Sequence, residues 1–248
     1  MKLAVCIPCF NEEKYIGRTL ESLAAQDDRD FKIFLCDNGS SDNTAKLAQA
    51  ISRKLGLSLE VITEPQKGTG AASDTAFRRA IAEGFEIIAR TDADAIVATN
   101  WTAVIRNHFV RNPRSLASGV TGPIAGELNL GRALILRFAS NLASLFGLFR
   151  PSNYGGNRLG RYVMTNGNNL AIDVETFLAA GGFRRSKIED LHEDRALVND
   201  VRATSGKVIR VRAMRVEVSA RRIQTWGLLN SLKWYANHSY RGDEVDVR

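Results

Sequence analysis

Cysteine, proline and long apolar runs are all scarce in this 248-residue sequence, which holds three cysteines and five prolines. Three thiols, Cys6, Cys9 and Cys36, are an odd number that builds no disulfide framework and fits a reducing compartment. Cys6-Ile-Pro-Cys9 has redox or zinc spacing, but it ends an expected strand and no second Cys/His pair completes a tetrahedral site. No segment reaches the ~20 uninterrupted apolar residues of a spanning helix, and Met1 to Cys9 lacks a signal-peptide core. The expected location is cytoplasmic, in solution or peripheral on the cytoplasmic face of a membrane. Low-complexity tracts and internal repeats are absent, and 44% hydrophobic with 25% charged residues is a globular composition.

Charge is unevenly placed. Residues 1–100 carry 12 basic and 15 acidic side chains and residues 101–248 carry 22 and 12, so the halves are −3 and +10. Nineteen of the 22 basic residues in the second half are Arg, whose planar fork suits phosphate and carboxylate. That excess is either a solvated basic face or a surface for a polyanion.

The first hundred residues alternate between β-branched runs and helical periods. Strands are expected at Lys2–Pro8, Phe31–Cys36, Leu59–Thr63 and Phe85–Arg90, with helices at Glu13–Gln26, Ser41–Leu55 and Ala71–Glu83. Such repetition calls for a parallel sheet with ligands beyond the carboxyl ends of its strands. The later expectations are helices at Trp101–Val110, Leu128–Arg150, Val174–Ala180 and His192–Ser205, and strands at Ser118–Pro123 and Lys207–Val218. Residues 128–150 form an amphipathic pattern with Leu134, Ile135, Phe138 and Phe149 in the apolar arc and Arg132, Arg137 and Arg150 opposite. Such a helix lies in a membrane interface, or buries its stripe in the core or a dimer.

Asp92-Ala93-Asp94 follows an expected strand. Two carboxylates at i and i+2 in a turn can reach one hard cation that bridges to phosphate oxygens. Around this pair the sequence carries V-C-I-P-C-F-N-E-E at 5–13, C-D-N-G-S-S-D-N-T at 36–44, K-G-T-G-A-A at 67–72 and T-D-A-D-A at 91–95. Downstream stand N-G-N-N-L-A at 166–171, G-G-F at 181–183 and H-E-D-R-A-L at 192–197. In this order the seven motifs resemble family 2 glycosyltransferases of the GT-A fold over roughly residues 3 to 210.

The resemblance implies an α/β fold: a single GT-A-type domain with a Rossmann-like, mostly parallel central sheet flanked by helices and a mixed acceptor-binding half. Residues 1–100 would bind the nucleotide sugar, 101–220 the acceptor, and 221–248 would be a tail. Pro8, Phe10, Asn11, Glu12, Asp37, Lys67, Gly68 and Asp92 would bind the nucleotide, and Asp94 with Asp92 the Mg2+ or Mn2+ ion. Asn169, Gly182 and Phe183 would shape the sugar and acceptor pockets. Glu193-Asp194 would supply the catalytic base, Asp194 being favoured and Glu189-Asp190 the other available pair. The implied activity is inverting, metal-dependent and non-processive transfer from a UDP- or GDP-sugar to a hydroxyl acceptor, lipid-linked if residues 128–150 meet a membrane. Cell-envelope polysaccharide or glycolipid synthesis is the expected setting.

The sequence departs from the family pattern in four places, one being a residue more than usual between the acid pair and Gly206, which leaves the register at Asp194 open. The second strand ends in Asp37-Asn38 where two acids are usual, Asp74 and Ala76 stand where Asn and Gly are usual, and the Gln-x-x-Arg-Trp signature of processive synthases is missing. Other readings are an NAD(P)-dependent Rossmann oxidoreductase built on Gly68-Thr69-Gly70 and Asp92, a sugar-phosphate nucleotidyltransferase, and a non-enzymatic basic binding module. Nucleic acid is not the expected partner.

Overall fold

The run Leu3–Cys9, LAVCIPC, is buried along its whole length and forms strand β1. A strand apolar on both faces must be covered on both faces, which is what a parallel sheet between helices provides. The computed structural model describes residues 1–129, 131, 134–135, 149, 153–154, 157, 159–185, 193–204 and 207–237. In it β1 pairs in parallel with β2 (Phe31–Asp37) and β4 (Ile87–Arg90), and β2 pairs in parallel with β3 (Leu59–Thr63). The connections are α1 (Ile16–Ala24), α2 (Thr44–Leu55) and α3 (Thr69–Ala82).

The chain continues through β5 (Ala95–Val97), α4 (Trp101–Arg111) and β6 (Leu116–Pro123). A 3-10 turn at Gly167–Asn169 leads into β7 (Leu170–Asp173), α5 (Val174–Ala179), α6 (Glu193–Thr204), β8 (Val208–Val218) and α7 (Arg221–Asn237). Helix α7 is interrupted at Gly227, whose φ is 76°. Among the described residues one eight-stranded sheet runs β3-β2-β1-β4-β7-β6-β8-β5. Its second half is mixed: β7 is antiparallel to β4 and β6, β8 is parallel to β6, and β5 is antiparallel to β8.

Alternation along β1 divides the core. Leu3, Val5 and Ile7 face Ile16, Leu20 and Leu23 of α1 and Trp101, Ile105 and Phe109 of α4. Ala4 and Cys6 face Ala72, Ala76 and Phe77 of α3, with Phe177 and Leu197 beyond. Each fully buried Leu, Ile or Phe contributes about 1.5–3 kcal/mol over leaving it exposed. Cys6 and Cys9 therefore lie on opposite faces of one strand, free and buried, and cannot share a metal or a disulfide.

Most expected elements are present, with ends moved by one to three residues. The strands β5 and β7 were not expected, because three or four residues show no readable period and owe their form to sheet pairing. The sequence beyond Arg221 shows only a weak apolar stripe, so α7 was not expected as a helix either. The expected helix at 128–150, the pair Glu189-Asp190 and His192 fall outside the described residues, apart from positions 128, 129, 131, 134, 135 and 149.

Candidate active site

The sheet brings the strand-end motifs to one edge. Past β1 the chain turns sharply at Asn11, whose φ is 56°, a left-handed value that Asn tolerates better than most residues. The turn is held from the next loop: the Asn11 amide donates to Ser40 Oγ at 2.9 Å, and Asn11 Oδ1 accepts from the Ser41 amide at 2.8 Å. Glu12 follows, buried, with its amide donating to Thr44 Oγ1 at 2.7 Å. At the end of β2, Asp37 Oδ1 accepts from the Ser40 amide and hydroxyl, at 3.1 and 2.5 Å. One carboxylate oxygen is thereby fixed, which aims the other.

Asn38 explains one departure from the family pattern. Its Nδ2 donates to the carbonyls of Glu64 and Gln66, each at 2.8 Å, and its Oδ1 accepts from the Gly68 amide at 2.8 Å. A carboxylate could accept from Gly68 but could not donate to two carbonyls. Asn38 thus holds the loop that presents Lys67, whose Nζ donates to the carbonyls of Asn38 and Gly39 and lies 3.8 Å from the Phe10 ring centroid. Phe10, Asp37, Lys67 and Gly68 come together as expected from their motifs. Pro8 lies buried within β1.

Beyond β4 the two acids of the Asp-Ala-Asp turn have different partners. Asp92, one-third exposed, is 3.3 Å from Arg90 Nη2. Asp94 is 3.5 Å from Arg221 Nη2. Arg221, from the start of α7, also grips Glu12 with both guanidinium nitrogens, at 2.8 and 2.5 Å, and stacks over Tyr15 at 4.7 Å. This fork links residues 209 apart in sequence. Burial pushes the Glu12 carboxyl up to about 7, against the pull of Arg221 and with the charges of Asp94 and Asp92 adding to the rise. Burial likewise raises Asp94 to about 6, opposed by Arg221.

Glu193 and Asp194 sit at the first turn of α6, where the helix dipole favours them. Glu193 is buried and its Oε1 accepts from Arg90 Nη1 at 3.1 Å. Asp194 is partly open; it accepts from the Gly167 amide at 3.1 Å and the Arg195 amide at 2.6 Å. Burial and the neighbouring Glu193 charge raise Asp194 to about 7, against the pull of Arg90 and these two amides. A carboxylate poised near neutrality can accept a proton from a hydroxyl and release it again.

Gly182 and Phe183 stand behind this pair. Gly182 has φ of 82°, and a Cβ there would come within 2.7 Å of Asp74 Oδ1, so both the backbone and the space require glycine. Phe183 packs on Phe77 and Phe177 and lies under the Arg90 guanidinium. Asn169 is fully buried, its Oδ1 accepting from Trp101 Nε1 at 3.0 Å and its Nδ2 donating to the carbonyls of Val120 and Met214. It is a strut between α4, β6 and β8.

Arg90 and Arg221 are site residues that sequence reasoning missed. Arg90 had a signal, a charge ending the otherwise apolar strand Ile-Ile-Ala-Arg. Arg221 had none.

Against known proteins, the sequence model for glycosyl transferase family 2 matches residues 4–169. The chain belongs to this family. Chondroitin synthase of Escherichia coli is 32% identical over 115 residues, 46% of this chain and 16% of that protein. Poly(ribitol-phosphate) beta-N-acetylglucosaminyltransferase TarS of Staphylococcus aureus is 33% identical over 96 residues, 38% of this chain and 16% of that protein. The chain thus spans about a sixth of the length of these relatives. Among solved structures, TarS 1-349 of S. aureus with UDP-GlcNAc superposes with a TM-score of 0.65 at 18% identity, covering 89% of this chain and 59% of that one. The mannosyltransferase PcManGT of Pyrobaculum calidifontis, with GDP-Man and Mn2+, gives 0.66 at 22% identity over 91% and 59%. Both show the shared GT-A fold.

Asp92 and Asp94 offer hard oxygen donors, the kind Mg2+ or Mn2+ takes when phosphate supplies further ligands. The Arg221 guanidinium beside Asp94 shows that this carboxylate is built to face a positive charge. Among the described residues no group of three His, Cys, Asp or Glu side chains gathers as a metal site.

Proposed function

We propose that this chain is an inverting, metal-dependent, non-processive glycosyltransferase that moves one sugar from a UDP- or GDP-sugar to a hydroxyl acceptor. The observation that carries the reading is geometric: Arg90 at the end of β4 reaches Asp92 of the Asp-Ala-Asp turn with one nitrogen and Glu193, the neighbour of Asp194, with the other. Phe10, Asn11, Glu12, Asp37, Lys67, Gly68 and Asp92 line the donor side, and Asp194 stands on the acceptor side.

Asp92 and Asp94 would hold Mg2+ or Mn2+, which when bound neutralises negative charge on the diphosphate. Asp194 takes the proton of the acceptor hydroxyl. The hydroxyl oxygen forms its bond to the anomeric carbon as the bond from that carbon to the diphosphate oxygen breaks, and the nucleoside diphosphate leaves with the electron pair. One displacement inverts the anomeric centre and needs no covalent enzyme intermediate. Glu193, paired with Arg90, is less free than Asp194 to accept a proton.

The test is nucleoside diphosphate release from UDP-GlcNAc and GDP-mannose, with and without Mn2+, together with calorimetric titration of UDP. Asp94→Ala should lower the rate at least 100-fold and weaken UDP binding in Mn2+ but not in EDTA. Near-unaltered rates in Asp94→Ala, or indifference of the native chain to EDTA, would sink the metal role.

A lipid-linked acceptor, as in cell-envelope polysaccharide or glycolipid synthesis, agrees with the exposure of Leu134, Ile135 and Phe149. No helix among the described residues is long and apolar enough to cross a membrane, so the contact proposed is peripheral. Flotation with anionic liposomes should succeed at low salt and fade at high salt, and no binding at low salt would reject it.

A further inference from the structure

Arg90 is the last residue of β4 and is 97% buried. Its guanidinium points two ways: Nη2 lies 3.3 Å from Asp92 Oδ1, in the donor turn, and Nη1 lies 3.1 Å from Glu193 Oε1, on the acceptor helix. The ring of Phe183 covers it with its centroid at 5.7 Å. Gly167 closes the other side; a Cβ there would stand 3.0 Å from Cζ and both terminal nitrogens, so any larger residue would press on the guanidinium. The same Gly167 donates its amide to Asp194 at 3.1 Å. Among the described residues, Nε of Arg90 has no hydrogen-bond partner.

A buried guanidinium with an unsatisfied N–H is a costly arrangement. Burial works against the Arg90 charge, and Asp92, Glu193 and Asp194 together outweigh it, holding the guanidinium pKa above its usual value. The packing around this one cation is close, with glycine where a methyl group would crowd it and the Phe183 ring against it.

We infer that Arg90 is a positioning residue that joins the donor-side turn to the acceptor-side acid pair, fixing Asp92, Glu193 and, through Gly167, Asp194 in one arrangement. The inference rests on the glycosyl-transfer reading for its catalytic meaning, but the linkage can be measured without turnover. Lys could supply the charge but not the fork that reaches two carboxylates at once. Among the described residues, the groups acting on Asp194 are Glu193 and the Arg195 amide from its own helix, the Gly167 amide, and Arg90 from β4, so loss of the Arg90 charge removes the cation that acts on the acid pair.

The experiment uses the full chain with Arg90→Met and Arg90→Lys, scored by nucleoside diphosphate release from UDP-GlcNAc and GDP-mannose in Mn2+. In parallel, the Asp194 carboxyl is titrated by 13C NMR without nucleotide. Arg90→Met should lower kcat about 100-fold with a smaller effect on donor KM, and raise the Asp194 midpoint by roughly a unit. Arg90→Lys should restore the midpoint to within about 0.3 units while recovering only part of kcat. The double variant Arg90→Met with Glu193→Gln should be little worse than Arg90→Met alone.

An unmoved Asp194 midpoint in Arg90→Met, strict additivity with Glu193→Gln, or full recovery of kcat in Arg90→Lys would overturn the inference. If Arg90→Met does not fold, Arg90→Lys alone decides: retained midpoint with reduced kcat supports the linkage, and wild-type kcat refutes it. A native chain that turns over no donor would defeat the transfer reading, while the NMR midpoints would still decide the linkage.

Discussion

Two arginines hold the carboxylates of the cleft, and water reaches them differently. Arg221 is 15% exposed and grips Glu12 and Asp94 from the last helix of the chain, whereas Arg90 is 3% exposed and is walled in between Asp92 and Glu193. Arg221, Glu12 and Asp94 keep a little solvent access, at 15%, 9% and 16% exposure, so water can compensate part of a charge that a ligand displaces. A buried ion pair is fixed, since separating it strands a charge in a low dielectric at a cost of several kcal/mol. Arg221 is thus the more accessible of the two to an incoming ligand, and Arg90 the more rigidly held.

The sharpest way to break this contrast is at the base. Asp194→Asn should cost about 10²–10⁴-fold in kcat. In the native chain the rate should fall tenfold per unit as pH drops below about 7, where Asp194 gains its proton. The stability sign is opposite: a carboxyl raised in the folded state favours folding when protonated, and that stability is lost as pH rises through about 7. Asp194→Asn should therefore melt higher than the native chain at pH 8. A lower melting temperature, or a rate flat from pH 5 to 8, would remove Asp194 from the role.

Arg221→Ala tests the more accessible arginine. It should weaken UDP binding in Mn2+ about tenfold, change kcat less, and cost roughly 1–3 kcal/mol in urea denaturation, because Glu12 and Asp94 lose a shared counter-charge. If it lowers kcat as much as Arg90→Met does, the two arginines do not differ in the way their burial implies.

Asn38→Asp is the smallest of the three. Two donated hydrogen bonds are lost and two carbonyls face a carboxylate, which should cost roughly 2 kcal/mol and loosen the Lys67 loop. Donor KM should rise severalfold while kcat holds. Unchanged stability would show that the loop carbonyls find other donors.

The parallel sheet was legible because β1, β2 and β4 are apolar runs closed by polar motifs, whereas the order of its strands came from the structure. The position of Asp37, Lys67, Gly68, Asp92 and Asp94 beyond the ends of the strands was readable for the same reason. Asn38 looked like a defect in the motif, and its three hydrogen bonds give it a purpose that no spacing reveals. The basic excess of the second half proved only partly a surface property. Arg202 and Arg210 spend their guanidinium groups on backbone carbonyls of Asn153, Gly160, Gly119 and Met164, and Arg184 and Arg185 pair with Asp200 and Glu64.

By itself the sequence determined the alternation of strand and helix, the acidic turns at the strand ends and the chemistry those side chains carry, because these are local properties of period and side-chain type. Only the tertiary structure decided which charges meet. Arg90 and Glu193 lie 103 residues apart and Glu12 and Arg221 lie 209 apart, and contacts at such separations arise from how the sheet is ordered and closed, which is written in no single segment.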